Sequence, residues 1–270
     1  MPKVAAAQMI SSASINKNLE QVECFCIEAK ERQVDLLVLP ENFAFMGMGE
    51  KDKLQIAEKY LAGEIQDKIS QFARLYDLWV IAGTLPLQGF NNRVRASCLV
   101  FDNKGLAVAR YDKIHLFVVL VSEKERYEES ATIERGDELV VVETPVGKVG
   151  LTVCYDLRFP ELYRQLVHRG AEILTVPSAF TAVTGAAHWE PLLRARGIEN
   201  LCYVVAPNQG GLHDNGRQTY GHSMIVEPWG KVLASCGVGV DMITADIDLQ
   251  ELRKIRLKFP TNEHHVLINN

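Results

Sequence analysis

Apolar positions along the chain switch between two periods. Ile15, Leu19, Val22, Cys26 and Ala29 recur at helical spacing while Glu20, Glu23 and Glu28 take other faces, which predicts an amphipathic helix with one buried side. Residues 36–39 follow as a continuous apolar run closed by Pro40, a strand expected to be buried on both faces. Ile65, Ile69, Phe72 and Tyr76 mark a second helix, and residues 78–85 another strand. Residues 95–101 and 106–111 flank Asp102-Asn103-Lys104-Gly105, a turn-forming connection that predicts a hairpin.

The second half repeats this plan. A strand over 149–153 matches the opening strand at Val4, and Glu172-Ile173-Leu174-Thr175-Val176-Pro177 echoes Asp35-Leu36-Leu37-Val38-Leu39-Pro40. Residues 223–227 and 231–235, joined by Pro228-Trp229-Gly230, echo the hairpin around Gly105. Any single match is expected by chance among apolar strands. The same order in all of them predicts two similar halves, each supplying a helix layer and a sheet. No Pro/Gly/Ser-rich linker separates them, so they are expected to share one core. The expected architecture is an α/β, four-layer α-β-β-α sandwich, one domain over 1–270. Around residues 189–198 a helix is expected to turn Trp189, Leu192, Leu193 and Ile198 inward.

Composition narrows the function classes. At 47% hydrophobic and 23% charged over 270 residues, the chain is of ordinary globular make-up. No apolar run approaches the roughly 20 residues that a membrane-crossing helix needs. The net charge of −5, with Lys and Arg scattered, argues against nucleic-acid or membrane-surface partners. The opening Met1-Pro2-Lys3-Val4-Ala5-Ala6-Ala7-Gln8 reads as a first strand rather than a secretory leader, and a cytoplasmic location is expected. Six cysteines at irregular spacing, with no CxxC pair, predict neither a disulfide framework nor a zinc knuckle. The adjacent His264 and His265 read as solvated or interfacial rather than as a metal site.

Three reactive side chains stand near the ends of expected strands, where open sheets place their chemistry: Glu41, Lys113 and Cys154. Singly, they resemble a solvated helix start, a surface charge and a core cysteine. Together they form a coherent set. A thiol at a strand-to-helix turn, near the backbone N–H groups of Tyr155 and Asp156, is expected to favour thiolate. A neighbouring ammonium supports that and stabilises an oxyanion. A carboxylate takes the thiol proton, passes it to a leaving amine and then activates water. No histidine is tied to Cys154 in the local sequence.

Leu39-Pro40-Glu41-Asn42, Tyr111-Asp112-Lys113-Ile114-His115-Leu116-Phe117 and Cys154-Tyr155-Asp156-Leu157-Arg158-Phe159-Pro160-Glu161 resemble, in order, the three signature segments of the nitrilase superfamily of carbon–nitrogen hydrolases. The resemblance runs from Val4 through Ile247. It implies Glu41 as general base, Lys113 as oxyanion-stabilising cation and Cys154 as nucleophile. Glu129, in Tyr127-Glu128-Glu129-Ser130, matches a second glutamate that orients lysine and substrate. The backbone N–H of Tyr155 is expected at the oxyanion. Arg158 and Glu161 are expected to pair or to brace the turn beneath Cys154, and His188 and Gln209 to line the pocket. Ala187-His188-Trp189-Glu190, Leu193-Arg194-Ala195-Arg196 and Tyr220-Gly221-His222-Ser223 are similar to the ω-amidase and deaminated-glutathione amidase group, and residues 200–209 favour the latter. Two positions depart from the family pattern: Val118 stands where Asp is usual, and Gly197 where Ala is usual.

The resemblance implies a metal-free, cofactor-free amidase for a small carboxylate-bearing amide, such as deaminated glutathione or an α-ketoacid ω-amide. A Cys thioester forms and ammonia leaves from a primary amide. It also implies a homodimer through the outer helices and the C-terminal region. N-carbamoyl-amine hydrolysis uses the same three residues and stays open, as does a binding or scaffold protein with impaired turnover, for which Val118 speaks.

Overall fold

The structure is a computed structural model, which describes residues 1–122, 125–264 and 266. The first half runs β1 (Lys3–Gln8), α1 (Ile15–Glu31), β2 (Leu36–Val38), α2 (Glu64–Tyr76), β3 (Trp79–Gln88), β4 (Val94–Phe101) and β5 (Ala107–Asp112). A separate hairpin, β6 (Val118–Ser122) and β7 (Glu125–Glu128), links it to the second half. That half comprises β8 (Val141–Thr144), β9 (Gly147–Leu151), α3 (Pro160–His168), β10 (Ile173–Thr175), α4 (Ala182–Asn200), β11 (Tyr203–Ala206), β12 (Met224–Val226) and β13 (Val232–Ser235). The strand β14 (Asp241–Asp246) and the helix α5 (Leu249–Lys258) follow.

One sheet has the order β14-β1-β2-β3-β4-β5 and the other β13-β12-β11-β10-β9-β8. Three neighbouring strands in each sheet, β1-β2-β3 and β9-β10-β11, are parallel, and a hairpin then continues each sheet antiparallel. The repeat expected from the sequence is therefore present strand for strand. Alternation along the strands explains the layering. Val4, Ala6, Leu36 and Val38 face the core shared with the second sheet, alongside Val149, Leu151 and Ile173. Ala5, Ala7, Leu37 and Leu39 face the opposite way, onto Leu19, Val22 and Cys26 of α1 and Ile65, Ile69 and Phe72 of α2. Helices α3 and α4 bring Leu162, Leu166, Trp189 and Leu193 to the second sheet, completing an α-β-β-α sandwich. Each such side chain, taken wholly out of water, stabilises the fold by about 1.5–3 kcal/mol before chain entropy is counted.

The helix over residues 189–198 departs from expectation. Trp189 and Leu193 are fully buried, but Leu192 is only partly so and Ile198 is 49% exposed. The inner face of α4 instead runs Trp189, Leu193, Arg196 and Asn200, at spacings of four, three and four, so Ile198 falls off it. Gly197 lies against the β12 end of the sheet, where an added Cβ would come within 3.3 Å of the Glu227 carbonyl oxygen. Among the described residues no helix is long and apolar enough to cross a membrane. His264 is exposed, and His265 lies outside the described residues.

Candidate active site

Glu41 owes its position to a strand interruption. The β3–β4 register shifts between Ala82 and Leu85. There Gly83 lets β3 approach the end of β2 so closely that a Cβ would sit 1.8 Å from the Pro40 carbonyl oxygen. The displaced Thr84 hydroxyl accepts the Asn42 N–H at 2.9 Å. From the other side, the Gln209 amide donates to the Glu41 carbonyl at 2.9 Å and to the Ser11 hydroxyl at 2.7 Å, and accepts the Ser11 N–H at 3.0 Å. The Glu41 carboxylate then has one oxygen 2.8 Å from Lys113 Nζ and the other accepting the Ala179 N–H at 3.0 Å.

Lys113 is the first residue beyond β5, and its side chain is sealed from solvent. Nζ also donates to both oxygens of Glu129, at 3.0 and 2.9 Å. Glu129 opens a short 3-10 turn after β7 and accepts the Phe117 N–H at 2.8 Å. Burial alone would lower the lysine, but the Glu129 and Glu41 carboxylates, with Cys154, outweigh it and hold the ammonium well above its ordinary range. For Glu129, burial pushes upward, and the Lys113 charge together with the Phe117 N–H holds the carboxyl below its usual range.

Beyond β9 the chain passes through Thr152 and Val153 before Cys154 heads a 3-10 turn with a left-handed φ of 50°. Non-glycine residues rarely adopt that conformation, so the surroundings must hold it. Asp156, fully buried, is the main clamp. One of its oxygens accepts the Val153 N–H at 2.8 Å and the Tyr111 hydroxyl at 2.7 Å. The other accepts the His115 N–H at 3.0 Å and lies 2.7 Å from His115 Nδ1. Arg196 reaches from α4 to donate twice to the Leu157 carbonyl, at 3.1 and 2.7 Å.

The sulfur differs from the sequence expectation. Burial first, then the Glu41 charge, push the Cys154 thiol far above its ordinary value, against the opposing pull of Lys113 and the Ala179 N–H. Glu41, Glu129 and Lys113 together carry one net negative charge, and a thiolate would add a second in a site without water's screening. The Asp156 N–H is spent on the Val153 carbonyl at 3.0 Å rather than on the sulfur. Burial and the neighbouring carboxylates thus favour the protonated sulfur.

A small cavity, about 10 Å³, is lined by Cys154, Glu41, Glu129, Phe117, Tyr155 and Arg158 among others. It adjoins a larger one of about 480 Å³, with Glu41, Glu129 and Arg217 in both linings. The structure thus brings Glu41, Lys113, Cys154, Glu129, Tyr155 and Arg158 together. The Tyr155 ring stands edge-on to Phe117 and Phe159, with centroids 5.0 and 5.3 Å apart. Arg158 does not pair with Glu161, which is exposed in the first turn of α3. Its guanidinium lies 3.3 Å from His188 Nδ1 and over the Phe180 ring, so bracing falls to Asp156 and Arg196 instead. His188 is exposed and lines neither cavity. Gln209 also lines neither, because its amide is used up behind Glu41. Val118 is half exposed, pairs with Glu128 across the β6–β7 hairpin and lines neither cavity.

Sequence reasoning missed Asp156 as the clamp, although it sits two residues past Cys154. It also missed Arg217, which only the return of residues 211–219 over the site brings near. Among the described residues no group of three or more His, Cys, Asp or Glu side chains is arranged to hold a metal ion.

Two stacked sheets that converge a buried carboxylate, ammonium and thiol define a class, and the chain belongs to the carbon–nitrogen hydrolase family, whose model matches residues 3–257. It is 40% identical over 270 residues to a deaminated glutathione amidase of Yersinia enterocolitica, covering 99% of this chain and 94% of that protein. It is likewise 40% identical over 264 residues to the nitrilase and fragile histidine triad fusion protein NitFhit of Caenorhabditis elegans, covering 97% of this chain but only 60% of the fusion protein. The crystal structure of NitFhit superposes with a TM-score of 0.92 over 98% of this chain and 65% of that chain, at 40% identity. That of Saccharomyces cerevisiae Nit3, a branch 10 member of the nitrilase superfamily, gives 0.85 at 29% identity, covering 96% and 94%.

Proposed function

We propose that the protein is a thiol amidase acting on a small, carboxylate-bearing linear amide. The observation that carries this reading is the Lys113 ammonium held between Glu41 and Glu129 in a buried site that Cys154 also lines. Glu41 takes the Cys154 proton as sulfur attacks the amide carbonyl. Lys113, kept protonated by its two carboxylates, and the Tyr155 N–H donate to the developing oxyanion. The C–N bond breaks as Glu41 returns the proton to nitrogen, leaving a thioester. Glu41 then deprotonates water, which attacks the thioester and releases the acid and the thiol. Glu129 keeps the lysine aimed.

Relatives named deaminated glutathione amidase make that compound the leading substrate, with an α-ketoacid ω-amide as its shorter counterpart. The expected ammonia applies to the ω-amide alone. Deaminated glutathione is a secondary amide, so its leaving group is the amine of the dipeptide. We take the chain to act as one catalytic unit over residues 1–270, as a cytoplasmic homodimer needing no metal or cofactor and engaging neither nucleic acid nor membrane. The test compares product release from these two amides and from N-carbamoyl amines. Faster turnover of the amides is expected. Preferred release of carbon dioxide from the N-carbamoyl compounds would reassign the substrate, and stoichiometric labelling of Cys154 without any turnover would reassign the protein as a binder.

A further inference from the structure

We propose that Arg217 determines specificity, receiving a carboxylate of the substrate through its guanidinium; the inference rests on the amidase reading and names how the substrate's charge is recognised. Arg217 lines both the small cavity at Cys154 and the larger one beside it. A guanidinium offers five N–H donors in a planar fork suited to a carboxylate. Here one Nη donates to the Ala179 carbonyl, while Nε is buried with no hydrogen-bond partner. Its Cζ lies over the Tyr127 ring, 5.0 Å from the centroid, which supports the group from one face. Among the described residues no carboxylate stands within ion-pair distance of it. An orphaned donor on a half-buried cation is costly unless a ligand satisfies it.

Two further observations point the same way. The neighbouring Glu41, Lys113 and Glu129 carry one net negative charge, which repels an anionic substrate unless a separate cation offsets it. Residue Ala179 also links the two sites: its N–H serves the Glu41 carboxylate and its carbonyl serves Arg217. The cation is thereby held at a fixed offset from the base, so a bound carboxylate also sets where the scissile carbonyl lies. Arg158, the other cation in the small cavity, already has His188 against its Nη atoms and Phe180 beneath its plane.

The test uses glutaramate and its methyl ester, which differ at one end by a charge, with the full-length wild type, Arg217→Gln and Arg217→Lys. The wild type is expected to prefer glutaramate, and Arg217→Gln to lose about 10- to 100-fold of that preference, chiefly through KM, with Arg217→Lys recovering part of it. In parallel, glutarate is expected to raise the melting temperature of Cys154→Ala but not of Cys154→Ala/Arg217→Gln. An intact preference, or a parallel fall for both compounds, overturns the proposal. If the wild type hydrolyses neither compound, the glutarate shift alone decides the role of Arg217: its loss with Arg217→Gln supports the anion site, and equal shifts or none reject it, while the amidase reading stands or falls on product release from the two amides named above.

Discussion

Glu41 does two opposed things to the sulfur beside it. Its charge raises the thiol, and its free electron pair is the acceptor for the thiol proton. Glu41→Gln should therefore lower the pH at which Cys154 ionises, followed by thiolate absorbance, while amide turnover falls by about 10²–10⁴-fold through loss of the base. An unchanged ionisation pH would show that Glu41 does not raise the thiol, and unchanged turnover would show that it is not the base. Glu129 and Lys113 shift in opposite directions, so their effects on stability fall at opposite ends of the pH scale. A carboxyl held below its usual range contributes stability that is present above its unfolded value and lost as pH falls through the folded one. The raised lysine loses its contribution only at strongly alkaline pH. Denaturant melts across the acid range should show a shallower acid limb in Glu129→Gln than in the wild type. Asp156→Ala leaves the Val153 and His115 N–H groups and the Tyr111 hydroxyl without their acceptor, and should cost about 3–5 kcal/mol in the same melts.

At the scale of elements, the junction of β2 and β3 is the most exacting. Gly83→Ala places a methyl group against the Pro40 carbonyl and must push the Glu41 turn away, with an expected loss of about 1–3 kcal/mol and of most activity. Unaltered melting and turnover would show that the junction yields. The same elements show what the sequence made legible. Residues 36–39 announce themselves because a strand buried on both faces has no polar alternation to hide it, and Pro40 marks where it stops. Glu41, Lys113 and Cys154 stand out because each lies just beyond a strand within a short motif. Ile198 misleads because α4 fills its inner face with Arg196 and Asn200, which hydrogen-bond there, so polarity no longer tracks exposure. The strand β14 pairs with β1 from more than 200 residues away, so it leaves no local pattern. Arg217 is invisible for the same reason: its meaning comes from residues 38 to 176 positions away.

For the molecule as a whole, the chemistry straddles the internal repeat. Glu41 and Lys113 hang from the sheet of the first half, and Cys154 and Ala179 from the second. Either half expressed alone should lack amide turnover, and mixing the two should restore it only if they reassociate, which turnover against mixing ratio would reveal. The halves are also bound by β14, which leaves its own half to lie antiparallel along β1, register Lys3 against Asp246 through Gln8 against Asp241. On the ribosome, then, β1 must wait beside an open edge until residues 241–246 have been read, so a protein stopped short of residue 241 would carry an unpaired flank where β14 belongs, a ready template for pairing with another chain.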